Sequence, residues 1–181
     1  MKVINLLAAP GSGKSTTGQI LSGMLSIADH KVEYVPEFAK FATFSNNQAA
    51  LSDQIYMFSK QENRLHVLRS GMLDYVVMDG PLPVALLFQP EEYYRNYEPL
   101  VMEVFHAYEN MNFFLRRNPA LTYKTIGRNE SPEEAKSLEP KLEAILNRHA
   151  VPFVNCVVDK GLPARLFKLI TGQPAPLLHL E

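Results

Sequence analysis

Short apolar runs alternate with amphipathic stretches along the chain and predict its order of strands and helices. Apolar runs bounded by turn residues are typical of buried strands, whereas apolar residues spaced three or four apart are typical of helices. The predicted strands are residues 3–7, 31–35, 74–78, 111–115 and 152–158. Strands that alternate with helices indicate a parallel sheet covered on both faces. We therefore predict a three-layer α/β fold built on a five-stranded parallel sheet.

The predicted helices follow from apolar stripes and end signals. In the first helix, Ile20, Met24 and Ile27 recur at helical spacing and predict its buried side. A later helix begins at Ser131, since serine caps helices and the next residue is proline, which is favoured at the first helical position. The other predicted helices are residues 48–69, with an apolar stripe at Leu51, Ile55, Phe58, Leu65 and Leu68, residues 92–108, with a break at Pro99, and residues 164–170.

The loop between the first strand and the first helix is the most informative stretch. It reads Ala8-Ala9-Pro10-Gly11-Ser12-Gly13-Lys14-Ser15-Thr16. Glycines let the backbone curl so that successive N–H groups point at one anion, and the helix adds free N–H groups and the positive end of its dipole. This pattern indicates a P-loop in which Lys14 and the backbone of residues 11–16 hold a triphosphate and Ser15 holds Mg²⁺. Ala8 replaces the usual first glycine.

Two carboxylates follow predicted strands and are expected at the same sheet edge as this loop. Asp79 ends an apolar strand, which is the Walker-B pattern of an Mg²⁺-binding aspartate; a turn role is the alternative, because Asp-Gly-Pro favours turns. Glu37 follows the second strand. There it can accept the proton of an attacking hydroxyl, or it can begin a helix as a residue that the dipole favours, and the sequence supports both interpretations equally.

Two side-chain groups are candidates for substrate contacts. Gln54, Phe58 and Gln61 fall on one face of a predicted helix, where an amide and a ring can bind a planar base; a core stripe with polar edges explains the same spacing. Arg117 and Arg128 follow the fourth strand, Arg117 as part of an Arg-Arg pair. Arginines on a loop above the phosphates can neutralise transition-state charge, and solvated surface residues are the alternative.

Composition narrows the class of protein. A chain of 181 residues suits one domain, expected over residues 1–179, with the last two residues resembling a cloning remnant. The net charge of −1 gives no whole-chain signature of nucleic-acid binding. No apolar run is long enough to span a membrane, and the P-loop begins too soon after Met1 for a targeting segment. We expect a cytoplasmic protein with Cys156 as a buried thiol.

Taken together, these motifs resemble those of P-loop kinases in the nucleoside and nucleotide kinase group. The chain is most similar to small ATP-binding proteins of bacteriophages, related to the ribosylnicotinamide-kinase domain; some similar phage enzymes phosphorylate 5-hydroxymethyluracil within DNA. The stretches that carry the resemblance are residues 8–16, Glu37-Phe38-Ala39-Lys40, Asp53-Gln54 with Gln61, Val77-Met78-Asp79-Gly80-Pro81-Leu82, Leu115-Arg116-Arg117 and Gly127-Arg128.

The resemblance implies an ATP- and Mg²⁺-dependent kinase that transfers the γ-phosphoryl group to a hydroxyl of a nucleoside-like acceptor, free or within DNA. Deoxynucleoside kinases usually carry Glu-Arg-Ser where this chain has Asp79-Gly80-Pro81, which points away from a plain deoxynucleoside. An NTP-hydrolysing switch is the alternative, although the chain has no Asn-Lys-x-Asp run of a GTPase. The implied catalytic residues are Lys14, Glu37, Asp79, Arg117 and Arg128, and the implied acceptor contacts are Glu37, Gln54, Phe58 and Gln61.

Overall fold

A parallel sheet forms the centre of the structure, which is a computed structural model that describes residues 1–120 and 130–176. Its strands are β1 (Lys2–Leu7), β2 (Val32–Val35), β3 (Tyr75–Met78), β4 (Glu109–Arg116) and β5 (Val154–Val157). They lie in the order β2-β3-β1-β4-β5, and every pairing is parallel. The predicted strands are confirmed, with boundaries that shift by one or two residues.

Helices connect the strands. They are α1 (Lys14–Ile27), α2 (Phe38–Phe44), α3 (Gln48–Ser52), α4 (Gln54–His66), α5 (Tyr97–His106), α6 (Pro132–Arg148) and α7 (Leu162–Thr171), with a 3-10 helix at Leu82–Phe88. No helix within residues 1–120 and 130–176 has the length and apolar content of a membrane span.

The core is divided between the two faces of the sheet, because successive side chains of a strand point in opposite directions. On one face, Ile4 and Leu6 of β1 pack in a cluster with α1 and α7. On the other, Val3 and Leu7 pack in a cluster with α4, the 3-10 helix, α5 and α6. The predicted three-layer α/β fold is therefore confirmed.

The predicted buried stripe of α1 is wrong. Ile20 and Ile27 are 42% and 57% exposed. The residues that α1 buries are Lys14, Thr17, Gly18, Leu21 and Leu25. A Cβ added at Gly18 would lie 2.9 Å from Cε2 of Tyr34, so a glycine lets α1 approach the sheet closely. The prediction relied on the spacing of apolar residues, and that spacing does not reveal that a glycine belongs to the packed face.

The single helix predicted over residues 48–69 consists of two helices, α3 and α4. The chain turns at Asp53, whose carboxylate accepts a hydrogen bond from the Tyr56 N–H at 2.9 Å and caps α4. Ile55, predicted to be buried, is 46% exposed. The residues that α4 buries are Gln54, Met57, Phe58, Gln61 and Leu65. The stripe was misplaced because two glutamines belong to the buried face.

Two further segments differ from expectation. Pro99 lies in the first turn of α5 and does not divide it, because the N–H that proline lacks is unpaired in a first turn anyway. The 3-10 helix at Leu82–Phe88 was not predicted. It buries Leu82, Pro83, Val84 and Leu86 against the sheet face that also carries α4 and α5.

The start of α6 provides a stability test. Ser131 Oγ accepts a hydrogen bond from the Glu134 N–H at 3.2 Å, and the Glu134 carboxylate accepts one from the Ser131 N–H at 2.7 Å. This capping box confirms the predicted helix start. We predict that Ser131→Ala lowers the free energy of unfolding by about 1 kcal/mol, measured by urea denaturation.

Ser137→Ala is the matched control for the cap. Ser137 is an exposed residue inside the same helix, and among the described residues its hydroxyl donates only to the Glu134 carbonyl oxygen. Because alanine is the better helix former, this change is expected to be neutral or slightly stabilising. Equal losses of stability in the two variants would contradict the capping role.

Candidate active site

The loop from β1 to α1 curls tightly around two glycines. Gly11 and Gly13 have φ angles of 76° and 96°, which side chains rarely adopt. A Cβ at Gly13 would also lie 2.9 Å from Cγ1 of Val158. Ser12 Oγ donates to the Ala9 carbonyl oxygen at 2.8 Å and closes the curl. The first turn of α1 has no side-chain cap, so its free N–H groups suit an anion.

Lys14 is buried beside this loop. Its side chain is at the start of α1, the residue is 4% exposed, and Nζ donates to the carbonyl oxygens of Ala8 at 3.0 Å and Ala9 at 3.4 Å. No salt bridge among the described residues involves Lys14. A buried ammonium without an anionic partner is unfavourable, so a phosphate group fits here. Thr16, two residues further along α1, is exposed.

Arg117 contacts the same loop from the end of β4. Nη2 donates to the Pro10 carbonyl oxygen at 2.7 Å and Nη1 to that of Gly11 at 3.4 Å. Its guanidinium therefore lies against the loop between β1 and α1. Arg128, predicted for the same role, lies outside the described residues.

Arg116 has a different, structural role. Nη1 donates to Glu143 at 2.9 Å and Nε donates to Asn155 Oδ1 at 2.8 Å, and Nη2 also donates to Glu143. Glu139 of α6 adds a longer contact at 3.4 Å. These contacts join β4 to α6 and β5. Hydrogen bonding to Arg116 lowers the pKa of Glu143 below its ordinary value.

Asp79 is a buried carboxylate at the end of β3. It is 1% exposed, and its N–H donates to the Val35 carbonyl oxygen at 3.0 Å. Oδ2 accepts a hydrogen bond from the Tyr34 hydroxyl at 2.8 Å. Oδ1 has no hydrogen-bond partner in the part of the chain that the structure describes. A buried anionic oxygen without a donor is costly, which makes Asp79 suited to a cation or its hydration shell.

Tyr34 is a site residue that the sequence did not reveal. Burial raises the pKa of Tyr34 well above its ordinary value, and the Asp79 carboxylate raises it further. The phenol therefore stays protonated and donates to Asp79. Ser15 also interacts with the phenol through its hydroxyl, and the field of Glu37 reaches it. A tyrosine in a short apolar strand looks like a packing residue, so the sequence held no signal of this role.

The residues present fit an Mg²⁺ ion. Asp79 Oδ1 lacks a donor, and Ser15 and Asp79 both neighbour the Tyr34 hydroxyl. Within residues 1–120 and 130–176 there is no cluster of three or more His, Cys, Asp or Glu side chains able to hold a metal. Mg²⁺ is usually held by one or two protein oxygens, with water and phosphate oxygens completing its shell, so two oxygen-bearing side chains are enough.

Two adjoining clefts lie over the carboxyl edge of the sheet. One, of about 430 Å³ including its open mouth, lies between the segment after β2, α4 and the 3-10 helix. The other, of about 700 Å³ on the same measure, extends to Pro10 and Ser15. The residues that line both are Glu37, Ala39, Gln54, Met57 and Phe88. The clefts are therefore neighbours that share these lining residues, and Glu37 is one of them.

Gln61 and Gln54 differ in what their amides contact. Gln61 Oε1 accepts a hydrogen bond from the Phe38 N–H at 2.7 Å, and Nε2 lies 3.4 Å from the Pro36 carbonyl oxygen. Its amide thus fixes the backbone on both sides of Glu37. Gln54 Nε2 donates to the Leu51 carbonyl oxygen at 2.9 Å, and Oε1 has no partner among the described residues. Gln54 is therefore the amide that retains an acceptor for a ligand.

Phe58 lines the first cleft but is only 6% exposed. Its ring packs edge-on against that of Tyr97, with centroids 6.2 Å apart. The Tyr97 hydroxyl donates to the Gln54 carbonyl oxygen at 2.9 Å. Phe58 therefore forms an apolar wall between core and cleft, and the structure brings it together with Glu37, Gln54 and Gln61.

Comparison with known proteins agrees with this architecture. A family described as an AAA domain matches residues 3–161. No curated protein has significant sequence similarity to the chain. Among solved structures, deoxyadenosine kinase from M. mycoides with products dCMP and a flexible dCDP bound is similar, with a TM-score of 0.54 and 17% identity over 96% of this chain and 100% of that one.

The same enzyme with dATP bound matches with a TM-score of 0.52 and 17% identity, over 95% of this chain and 98% of that one. At this level of identity the likeness concerns the fold. The order of strands, the P-loop and the covering helices are those of a P-loop kinase fold. The predicted fold class is thereby confirmed.

The Tyr34–Asp79 hydrogen bond gives a prediction about stability. Tyr34→Phe removes the donor and leaves the buried carboxylate with less support. We expect the free energy of unfolding to fall by about 1.5 to 3 kcal/mol, the usual contribution of a hydrogen bond to a charged group, measured by urea denaturation.

Tyr75→Phe is the control for this change. Tyr75 is a partly buried tyrosine at the start of β3, and its hydroxyl makes no hydrogen bond to any described residue. Its replacement should therefore have little effect. A Tyr34→Phe protein as stable as the unmodified chain would show that the hydrogen bond does not support Asp79.

Proposed function

The chain belongs to the AAA domain family, and from that premise we propose that it is an ATP- and Mg²⁺-dependent phosphotransferase. It transfers the γ-phosphoryl group of ATP to a hydroxyl of a nucleoside-like acceptor. The observation that carries this proposal is that the two clefts adjoin and both are lined by Glu37. One cleft reaches Pro10 and Ser15, and the other is an apolar chamber lined by Gln54, whose amide oxygen has no donor among the described residues.

The phosphate side supplies charge and alignment. Lys14, the first-turn N–H groups of α1 and the curled loop hold the triphosphate. Ser15 and Asp79 hold Mg²⁺, which when bound neutralises phosphate charge. Arg117, already against the loop at Pro10, stabilises charge on the transferred group, and Arg128 is proposed to add to it.

On the acceptor side, the Glu37 carboxylate acts as the general base. The hydroxyl oxygen of the acceptor attacks the γ-phosphorus, and a new oxygen–phosphorus bond forms as the bond from that phosphorus to the β–γ bridging oxygen breaks. ADP leaves, and the hydroxyl proton passes to the Glu37 carboxylate. Gln61 serves this step indirectly, because its contacts at Phe38 and Pro36 hold the segment that carries Glu37.

The chamber favours a planar, largely apolar acceptor. Phe58, Met57 and Leu82 form apolar walls, and Gln54 Oε1 can accept a hydrogen bond from a base edge. The similar solved structures are of a deoxyadenosine kinase, which supports a nucleoside-like acceptor. A 5-hydroxymethyluracil base in phage DNA, which offers a primary hydroxyl, is our specific candidate; a free nucleoside or nucleotide is the alternative.

Phosphate binding is tested at Lys14. Lys14→Ala removes a charged donor, so we expect the affinity for ATP to fall by about 10- to 150-fold, measured by isothermal titration calorimetry. Lys136→Ala, at an exposed position of α6, is the control and should bind ATP normally. Unchanged binding by Lys14→Ala would exclude this loop as the ATP site.

Phosphoryl transfer is tested at Glu37. Glu37→Gln keeps the shape of the side chain and removes the base, so transfer from γ-³²P-labelled ATP should fall by about 10²- to 10⁴-fold while ATP affinity is retained. The acceptors are nucleosides, nucleotides and oligonucleotides that contain 5-hydroxymethyluracil.

Glu33→Gln is the matched control, because Glu33 is an exposed carboxylate on the same strand that precedes Glu37. Its transfer rate should match that of the unmodified chain. Equal transfer by Glu37→Gln would remove Glu37 from the mechanism. ATP hydrolysis that no acceptor stimulates would instead favour an NTP-hydrolysing switch.

A further inference from the structure

Three aromatic rings and two cationic groups contact one another in a row across the outer surface of α2 and α4. Lys60 Nζ lies 5.3 Å from the centre of the Tyr56 ring, and that ring lies edge-on to Phe38 with centroids 5.9 Å apart. The Arg64 guanidinium lies 5.1 Å from the centre of the Phe38 ring and 4.8 Å from that of Phe41. We call this row of five side chains the aromatic–cation ladder.

The ladder is at the surface and held in place. Phe41 is 51% exposed and Tyr56 is 38% exposed, and Phe44, on the next turn of α2, is 61% exposed. Arg64 Nη1 donates to the Pro36 carbonyl oxygen at 3.0 Å, which fixes its guanidinium between two rings. Single exposed apolar residues are ordinary, whereas a contiguous ordered group is a feature of binding surfaces.

The charge of this surface is positive although the chain carries a net charge of −1. Lys40 is the only charged residue within α2, and Lys60 and Arg64 are in the ladder. The Glu37 carboxylate immediately precedes α2 and lines the two clefts. The one carboxylate within α4, Glu62, interacts with Tyr108 and His66. Asp53, before α4, caps the helix. Phosphates would therefore meet cations here.

The ladder also adjoins the candidate active site. Phe38 is in the ladder and lines the apolar cleft, and Lys40, two residues later, lines the cleft that reaches the phosphate-binding loop. A polymer that follows the ladder would therefore pass the opening of the clefts.

We propose that the aromatic–cation ladder binds a single strand of nucleic acid. Unpaired bases stack on the exposed rings of Phe41 and Tyr56, and Lys40, Lys60 and Arg64 neutralise backbone phosphates. A duplex would contact only the cations, because its bases are already stacked on one another. The strand's role as acceptor rests on the proposed kinase function; its binding does not.

Binding is measured by fluorescence anisotropy, without ATP, using a labelled thymidine 12-mer, a uridine 12-mer and a 12-base-pair duplex. Both single strands should bind more tightly than the duplex. A difference in affinity between the thymidine and the uridine strand would show a preference for DNA or for RNA. Affinity should fall with salt, with a logarithmic slope of about −2 if three phosphates are neutralised.

Substitutions of the rings should change the affinity for the strand, whereas substitutions of the cations should also change its salt dependence. Phe41→Ala and Tyr56→Ala should each weaken strand binding by about tenfold without changing the salt slope, because stacking does not release counterions. Lys60→Ala should reduce the steepness of the slope by about 0.7. Phe41→Leu keeps apolar volume without a ring, so it should behave like Phe41→Ala in binding while preserving packing.

Leu169→Ala and Lys141→Ala are the controls, since both residues are exposed on helices outside the ladder. They should bind the strands normally. No strand binding, duplex binding as tight as strand binding, or equal binding by all ladder variants would overturn the proposal. Ladder-dependent binding without phosphoryl transfer would refute the kinase function alone, and transfer to free nucleosides without strand binding would refute the ladder alone.

Discussion

Parallel pairing of β1 with β3 and β4 is the constraint on which the rest of the structure depends. Asn5 is opposite Met78 on one side and Asn112 on the other. Its buried amide donates to Asn110 Oδ1 at 2.8 Å and Asn112 Oδ1 at 2.9 Å, contacts that only this register allows. With that register fixed, the phosphate-binding loop, Asp79 and Arg117 all leave the sheet at the same edge.

The site then depends on buried charges that lack partners of opposite sign. Within the described part of the chain, Lys14 donates only to carbonyl oxygens and one oxygen of Asp79 has no donor. Such an arrangement is costly in the free protein. The arrangement becomes favourable when an anion and a cation bind together, as a triphosphate with its metal does. The unpaired charges lower the stability of the free protein, and they strengthen binding of that pair of ligands for the same reason.

The sequence predicted what local chemistry determines. Strand positions, the glycines of the loop and the Ser131 cap each follow from residues close together in the chain. The buried face of α1 was predicted wrongly because it contains Gly18, whose value lies in its contact with Tyr34. Likewise, Gln54 and Gln61 look equivalent in sequence, and only their tertiary contacts show that Gln61 supports the backbone around Glu37 while Gln54 keeps a free acceptor.

The close approach of Gly13 to Val158 has a consequence for the order of folding. The loop between β1 and α1 is synthesised before β4 and β5, yet it lies against residues that follow those two strands. Contacts between distant parts of a chain form late, because a long loop must close first. A nascent chain that has not yet released β5 lacks this support, so the loop reaches its final form only after residues 154–158 have been synthesised.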